Sequence, residues 1–264
     1  MKCNNLKNAG ALTFALLVSI VSVSAQKLSD VQEGNLLVSK INVDGNATDW
    51  TIPLKAFNKS TGLSYTIAND DKKLYLIIQA IDVNTTRKIL MGGITFGINA
   101  DGKKRSKELL SLTYPMITRN SRRAAMGGGS QRSMGSFQTM TQEQRDSLQN
   151  AFGQKQLATA KDIKIFGFKN VTDTLVSIYN EYSVKAMATL DEKGTYTYEI
   201  GIPLELLPID INQEFGYNIK VNGLQMNGFG GGGNRGNGGG RRGSVDFQDL
   251  ITPTDLWGKY TLAK

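Results

Sequence analysis

The groups of this chain with chemistry to offer are carboxylates and guanidiniums, and they fall in different parts of it. Asp44, Asp49, Asp70, Asp71 and Asp101 stand in or beside turn-forming runs. Brought together at one end of a β-sandwich, their carboxylate and carbonyl oxygens could hold calcium, the one cofactor the sequence suggests. They also have a local use, because Asp-Gly and Asp-Asp steps close turns with their own hydrogen bonds, and no contiguous calcium loop is present. Glu199, Glu205 and Glu214, with those aspartates, could supply a carboxylate pair for glycoside hydrolysis. No spacing singles out a pair, and Glu199 falls on the polar side of an alternating segment, where solvation explains it.

The guanidiniums gather in two stretches. One, at about 119–136, carries Arg119, Arg122, Arg123 and Arg132 around Gly127-Gly128-Gly129; the other, at about 228–243, is mostly glycine with Arg235, Arg241 and Arg242. Neither holds enough apolar surface to offset the entropy of ordering, so both are expected as mobile loops inserted in a domain. With Tyr114 and Phe229 they form a candidate surface for an anionic ligand: an acidic polysaccharide, a lipopolysaccharide phosphate or a partner protein. Neither ends in the Gly-Lys-Ser/Thr of a phosphate-cradling loop. Arg-Gly segments also track nucleic acid, a partner that export argues against.

What is missing narrows the chemistry further. There is no histidine, and the one cysteine, Cys3, precedes an apolar stretch from Ala9 to Val23. Two lysines ahead of that stretch and Val23-Ser24-Ala25 behind it have the layout of a signal peptide, residues 1–25, whose removal leaves Gln26 first. Cys3 and two positive charges leave with it, so the formal net charge falls from +8 to +6. Residues 26–264 then have no disulfide, thiol nucleophile, histidine base or common zinc ligand set, which argues against an enzyme. No later segment is apolar for long enough to span a bilayer.

The elements that must position these groups are strands. Tyr217, Ile219 and Val221 alternate with Asn218, Lys220 and Asn222, and Tyr196, Tyr198, Ile200 and Ile202 alternate with Thr197, Glu199 and Gly201, the period of half-buried strands. Ile94, Phe96 and Ile98 repeat it before the turn Asn99-Ala100-Asp101-Gly102, and Leu74 to Ile81 is a nearly unbroken apolar run suited to a central strand. Asn69-Asp70-Asp71-Lys72 and Asp191-Glu192-Lys193-Gly194 are turns that make antiparallel hairpins of their neighbours. One helix is expected: Thr141 and Gln144 form a capping box, and Leu148, Ala151 and Phe152 give a narrow stripe, which Gly153 weakens, to cover a sheet edge. The expectation is one all-β antiparallel sandwich, with one inserted helix and the two Gly/Arg-rich loops.

Four segments in order resemble the family 9 carbohydrate-binding modules and their DOMON-like relatives. Ile41-Asn42-Val43-Asp44-Gly45-Asn46-Ala47-Thr48-Asp49-Trp50 resembles their opening strand, and Asn69-Asp70-Asp71-Lys72-Lys73-Leu74-Tyr75-Leu76 their second hairpin. Tyr198-Glu199-Ile200-Gly201-Ile202-Pro203 and Leu256-Trp257-Gly258-Lys259-Tyr260-Thr261-Leu262 resemble the penultimate and closing strands. The resemblance implies an immunoglobulin-like or jelly-roll sandwich, and sugar held between exposed tryptophans. Trp50 and Trp257 both lie in core-building motifs, so a structural role is expected for each. The haem ligation of other relatives needs a histidine and cannot be carried over. The function expected is an exported, non-catalytic binding module for carbohydrate or another anionic envelope component. The alternatives are an envelope assembly scaffold with protein partners and a carboxylate-dependent glycoside hydrolase.

Overall fold

The period-two segments pair as expected. The computed structural model describes residues 28–102, 109–118, 120–121, 140–210, 212–224 and 247–264, and their strands form two antiparallel sheets. The first has the order β1 (Ala56–Asn58), β2 (Leu63–Asn69), β3 (Lys73–Ala80), β9 (Tyr196–Pro203), β8 (Lys185–Leu190). The second has the order β11 (Thr254–Tyr260), β10 (Phe215–Val221), β4 (Ile94–Asn99), β5 (Leu110–Tyr114), β6 (Asp162–Phe166), β7 (Leu175–Ser177).

One core fills the space between the sheets. Leu76, Ile78, Tyr198 and Ile200 enter it from the first sheet and Phe96, Leu112, Ile165 and Ile219 from the second. Burying such side chains contributes roughly 1.5–3 kcal/mol each, enough to hold two sheets face to face. Tyr65 and Tyr217 meet across the gap with their hydroxyl oxygens 3.0 Å apart. Both also bind the backbone of Gln32: Tyr217 donates to its carbonyl, and its N–H donates to Tyr65. Gly258 is required opposite Tyr217, since a Cβ there would run into the tyrosine ring.

The unbroken apolar run from Leu74 to Ile78 of β3 answers to burial on both faces. Its odd partners, Tyr75 and Ile77, join Ala68 in a second small core with Ile41, Trp50 and Leu54, so that the chain around residues 41–54 lies over the outside of the first sheet. This cover overturns the solvated reading of Glu199, which has no exposed surface. Its carboxylate accepts hydrogen bonds from Trp50 Nε1 at 2.6 Å and from the N–H groups of Gly45 and Asp44 at 2.7 and 3.0 Å. Burial pushes its pKa above the ordinary range, and these three donors pull it only part of the way back.

Three α-helices lie wholly among the described residues, where one helix was expected. The helix α1 (Val83–Gly92) starts at Asp82, whose carboxylate accepts from the Thr85 N–H. The expected helix is α2 (Gln142–Thr159), with its capping box formed. It runs on through Gly153, which is a packing contact and not a stop: a Cβ there would stand 2.7 Å from Leu190 of β8. The buried face is accordingly Gly153, Gln156 and Leu157, while Leu148 points outward. Gln154 donates to the Leu190 carbonyl, so α2 covers an edge strand as its amphipathic pattern implied. A short α3 (Phe247–Ile251) precedes β11.

Candidate functional site

The expected ligand surface divides sharply. Arg119, Arg122, Arg123, Arg132, Phe229, Arg235, Arg241 and Arg242 lie outside the described residues. Tyr114 is a core residue, not a surface contact: its ring stacks on Tyr198 and its hydroxyl donates to the Ala160 carbonyl. Alternation along β5 explains this, since Leu112 and Tyr114 point inward and Ser111 and Thr113 outward. Desolvation pushes the phenol up to about 12.

The aspartates are taken up by local turns. Asp70 accepts from the Lys72 and Lys73 N–H groups at 2.8 and 2.6 Å and from the Tyr75 hydroxyl at 2.8 Å, with Asp71 exposed beside it. Asp44 accepts from Asn46 N–H, Asp49 from Asn42 N–H, and Asp101 sits in the turn after β4, its own N–H donating to Asn99. Among the described residues no group of three or more acidic, histidine or cysteine side chains could hold a metal ion. Of the carboxylates considered for hydrolysis, Glu205 and Glu214 are exposed, the latter paired with Lys259, and Glu199 is fully engaged by its three donors.

The tryptophans part company. Trp50 is buried against the first sheet, whereas Trp257 is half-buried, because Leu256, Gly258 and Tyr260 hold the inward positions of β11 and leave Trp257 to the outer side. Its Nε1 donates to Asp255.

That outer side of the second sheet carries a site the sequence reading did not select. Register aligns Lys220, Thr95, Thr113 and Lys164 across β10, β4, β5 and β6, and Trp257, Asn218, Gly97, Ser111 and Phe166 in the adjoining row. At one end of the first row lies a groove of about 320 Å³. Its floor is Thr95, Ser111 and Thr113, one wall is Met91, Gly92 and Asn222, and the other is Pro115 to Ile117, with Lys164 at the rim.

Local structure makes the walls stiff. Thr95 and Thr113 share a hydroxyl hydrogen bond of 2.7 Å, and Asn222 Nδ2 donates to the Gly92 and Gly93 carbonyls and to Thr95 Oγ1. Gly93 ends α1 at φ 74°, a left-handed value that favours glycine, and a Cβ on it would come within 2.7 Å of the Pro115 carbonyl. Lys164 is exposed. The one signal in the sequence was the outward half of the alternation in Ser111-Leu112-Thr113-Tyr114, which marks a polar face without saying what it borders.

Both Gly/Arg-rich stretches join the described fold at this end of the sheet. One follows Thr118, just beyond β5, and the other follows Leu224, just beyond β10. Ile94 pairs with both Tyr114 and Val221, so the two exits stand at the same level on either side of β4.

No protein-family model and no curated protein matches the chain. Solved structures similar to it include two of a family 9 carbohydrate-binding module from Caldicellulosiruptor kristjanssonii. The one in complex with glucose is 10% identical, with a TM-score of 0.35, covering 88% of this chain and 97% of that one. The one in complex with cellotriose is 10% identical, with a TM-score of 0.37, covering 88% and 95%. No helix among the described residues is long and apolar enough to cross a membrane.

Proposed function

We propose that this chain is an exported, non-catalytic module, residues 26–264 after loss of the signal peptide, that binds carbohydrate or another anionic component of the cell envelope. The contacts come from the Gly/Arg-rich stretches through Arg119, Arg122, Arg123, Arg132, Arg235, Arg241 and Arg242, with Phe229. The observation that supports this reading is the convergence of the described flanks of both stretches at one end of the second sheet, beside a polar groove. Guanidiniums delivered to one place favour a multivalent anion, because each adds a charge-assisted, bidentate contact. The lack of histidine, and of cysteine after Cys3, removes the commonest bases and thiol nucleophiles, which supports a binding role.

Retention of the exported chain on an acidic polysaccharide matrix tests the proposal. Binding by several arginines should weaken steeply as salt rises, and replacing the seven arginines by serine should abolish it. Retention indifferent to salt would remove the stretches from the site. Recovery of discrete envelope proteins in place of polysaccharide would favour an assembly scaffold, and release of reducing ends from the matrix would mark a hydrolase.

A further inference from the structure

We infer that the groove on the outer face of the second sheet is a subsite for one acidic sugar unit, a hexuronate, of a longer polysaccharide. This rests on the carbohydrate-binding reading above and names its ligand class and a place for it that does not depend on the Gly/Arg-rich stretches. The volume, about 320 Å³, falls at the low end of the roughly 300–1,000 Å³ of small-molecule sites, which suits a single ring better than a chain.

The lining chemistry is that of a polyhydroxylated ring with one negative charge. Three side-chain hydroxyls form the floor: Ser111 can both donate and accept, as sugar hydroxyls require, while Thr95 and Thr113 spend one hydroxyl proton on each other and keep lone-pair capacity. Met91, Pro115 and Met116 offer apolar surface for the C–H face of a pyranose. Among the described residues Lys164 is the only charged one that lines the groove and no carboxylate lines it, so their electrostatic preference is for an anion. Asp162 and Asp255, which share the outer face, stand outside the groove, and Asp255 is occupied by Trp257 Nε1 and Asn218 Nδ2.

A polymer is indicated over a free monosaccharide by what lies next to the groove. Ser111 of its floor pairs in register with Phe166, whose side chain is 58% exposed on the same face. Neighbouring strands stand about 4.8 Å apart, so that ring is placed to stack on the sugar that follows the one in the groove.

Affinity electrophoresis of the exported chain through polygalacturonate, and in parallel through neutral hydroxyethylcellulose, tests the inference. Lys164→Glu should weaken retardation by polygalacturonate about tenfold, Lys164→Arg should preserve it, and Phe166→Ala should weaken it several-fold. Lys185→Glu, an equal charge change at an exposed position of β8 on the other sheet, should leave it within about twofold. Both lysines are exposed, so thermal unfolding of the variants should match that of the parent chain. Equal losses from Lys164→Glu and Lys185→Glu, or none from Lys164→Glu, would overturn the groove assignment while the carbohydrate reading stood. Retardation by neither polymer would sink both.

Discussion

The outer faces of the two sheets make an instructive pair. Both are built from strands that alternate between core and outside, and in the sequence both outward rows mix polar and apolar residues. Over the first sheet, residues 41–54 fold back and bury Ala68, Tyr75, Ile77 and the carboxylate of Glu199 beneath Ile41, Trp50 and Leu54, while Lys185 and Met187 of β8 stay exposed. The outward row of the second sheet stays open among the described residues around the groove, with hydroxyls, an exposed ammonium, exposed Phe166 and half-buried Trp257. A buried glutamate on one face and an uncovered tryptophan on the other show that residue type alone does not decide exposure. The covering segment does.

The sharpest way to break this contrast is to remove the tryptophan that roofs the first sheet. Trp50→Ala should destabilise the fold by about 3–5 kcal/mol in urea unfolding, the cost of deleting a buried aromatic and leaving a cavity. The next effect in size belongs to Glu199→Gln. An amide must turn its own N–H toward one of three donors that the carboxylate accepts from, so about 1–3 kcal/mol should be lost at pH 7. Trp257→Ala is the counterpart on the open face and should cost only about 1 kcal/mol, as half-burial implies. Equal losses from the two tryptophan variants would dissolve the distinction between a roofed and an open sheet.

The smallest expected effects are in pH dependence, and they have opposite signs. Glu199 has a raised folded pKa, so between its unfolded and folded values the native state holds more protons. Its contribution is greatest at low pH and declines as pH rises through that window, starting near 4.5. Asp70 is desolvated too, but the Lys72 N–H, the Tyr75 hydroxyl and the Lys73 N–H outweigh that and hold it below 3.8. Its contribution is present above 3.8 and is lost as pH falls through the lower folded value. Subtracting the stability profile of Glu199→Gln from that of the parent should leave a slope that descends with pH, and Asp70→Asn should leave one that ascends. A flat Glu199 difference would mean that water reaches the carboxylate.

Much of the architecture was legible. The hairpin of β2 and β3, the hairpin of β8 and β9, and the inward positions of β4 and β10 follow from period-two alternation and from turns at Asp70 and Asp191. The capping box of α2 was readable because Thr141 and Gln144 are three residues apart. α1 was not, since Val83-Asn84-Thr85-Thr86 has weak helix formers and only the Asp82 cap announces it. Tyr114 and Gly153 were misplaced because their surroundings, Tyr198 and Leu190, come from distant strands.

By itself, then, the sequence determined where the chain extends, where it turns and which side of each strand is oily, because those properties rest on neighbours a few residues apart. Which outward row is roofed, that Trp50 reaches a carboxylate 149 residues away, and that the exits beside two arginine-bearing stretches meet at one groove were decided only by the tertiary structure. Burial and convergence depend on what packs from elsewhere in the chain, and alternation carries no record of that.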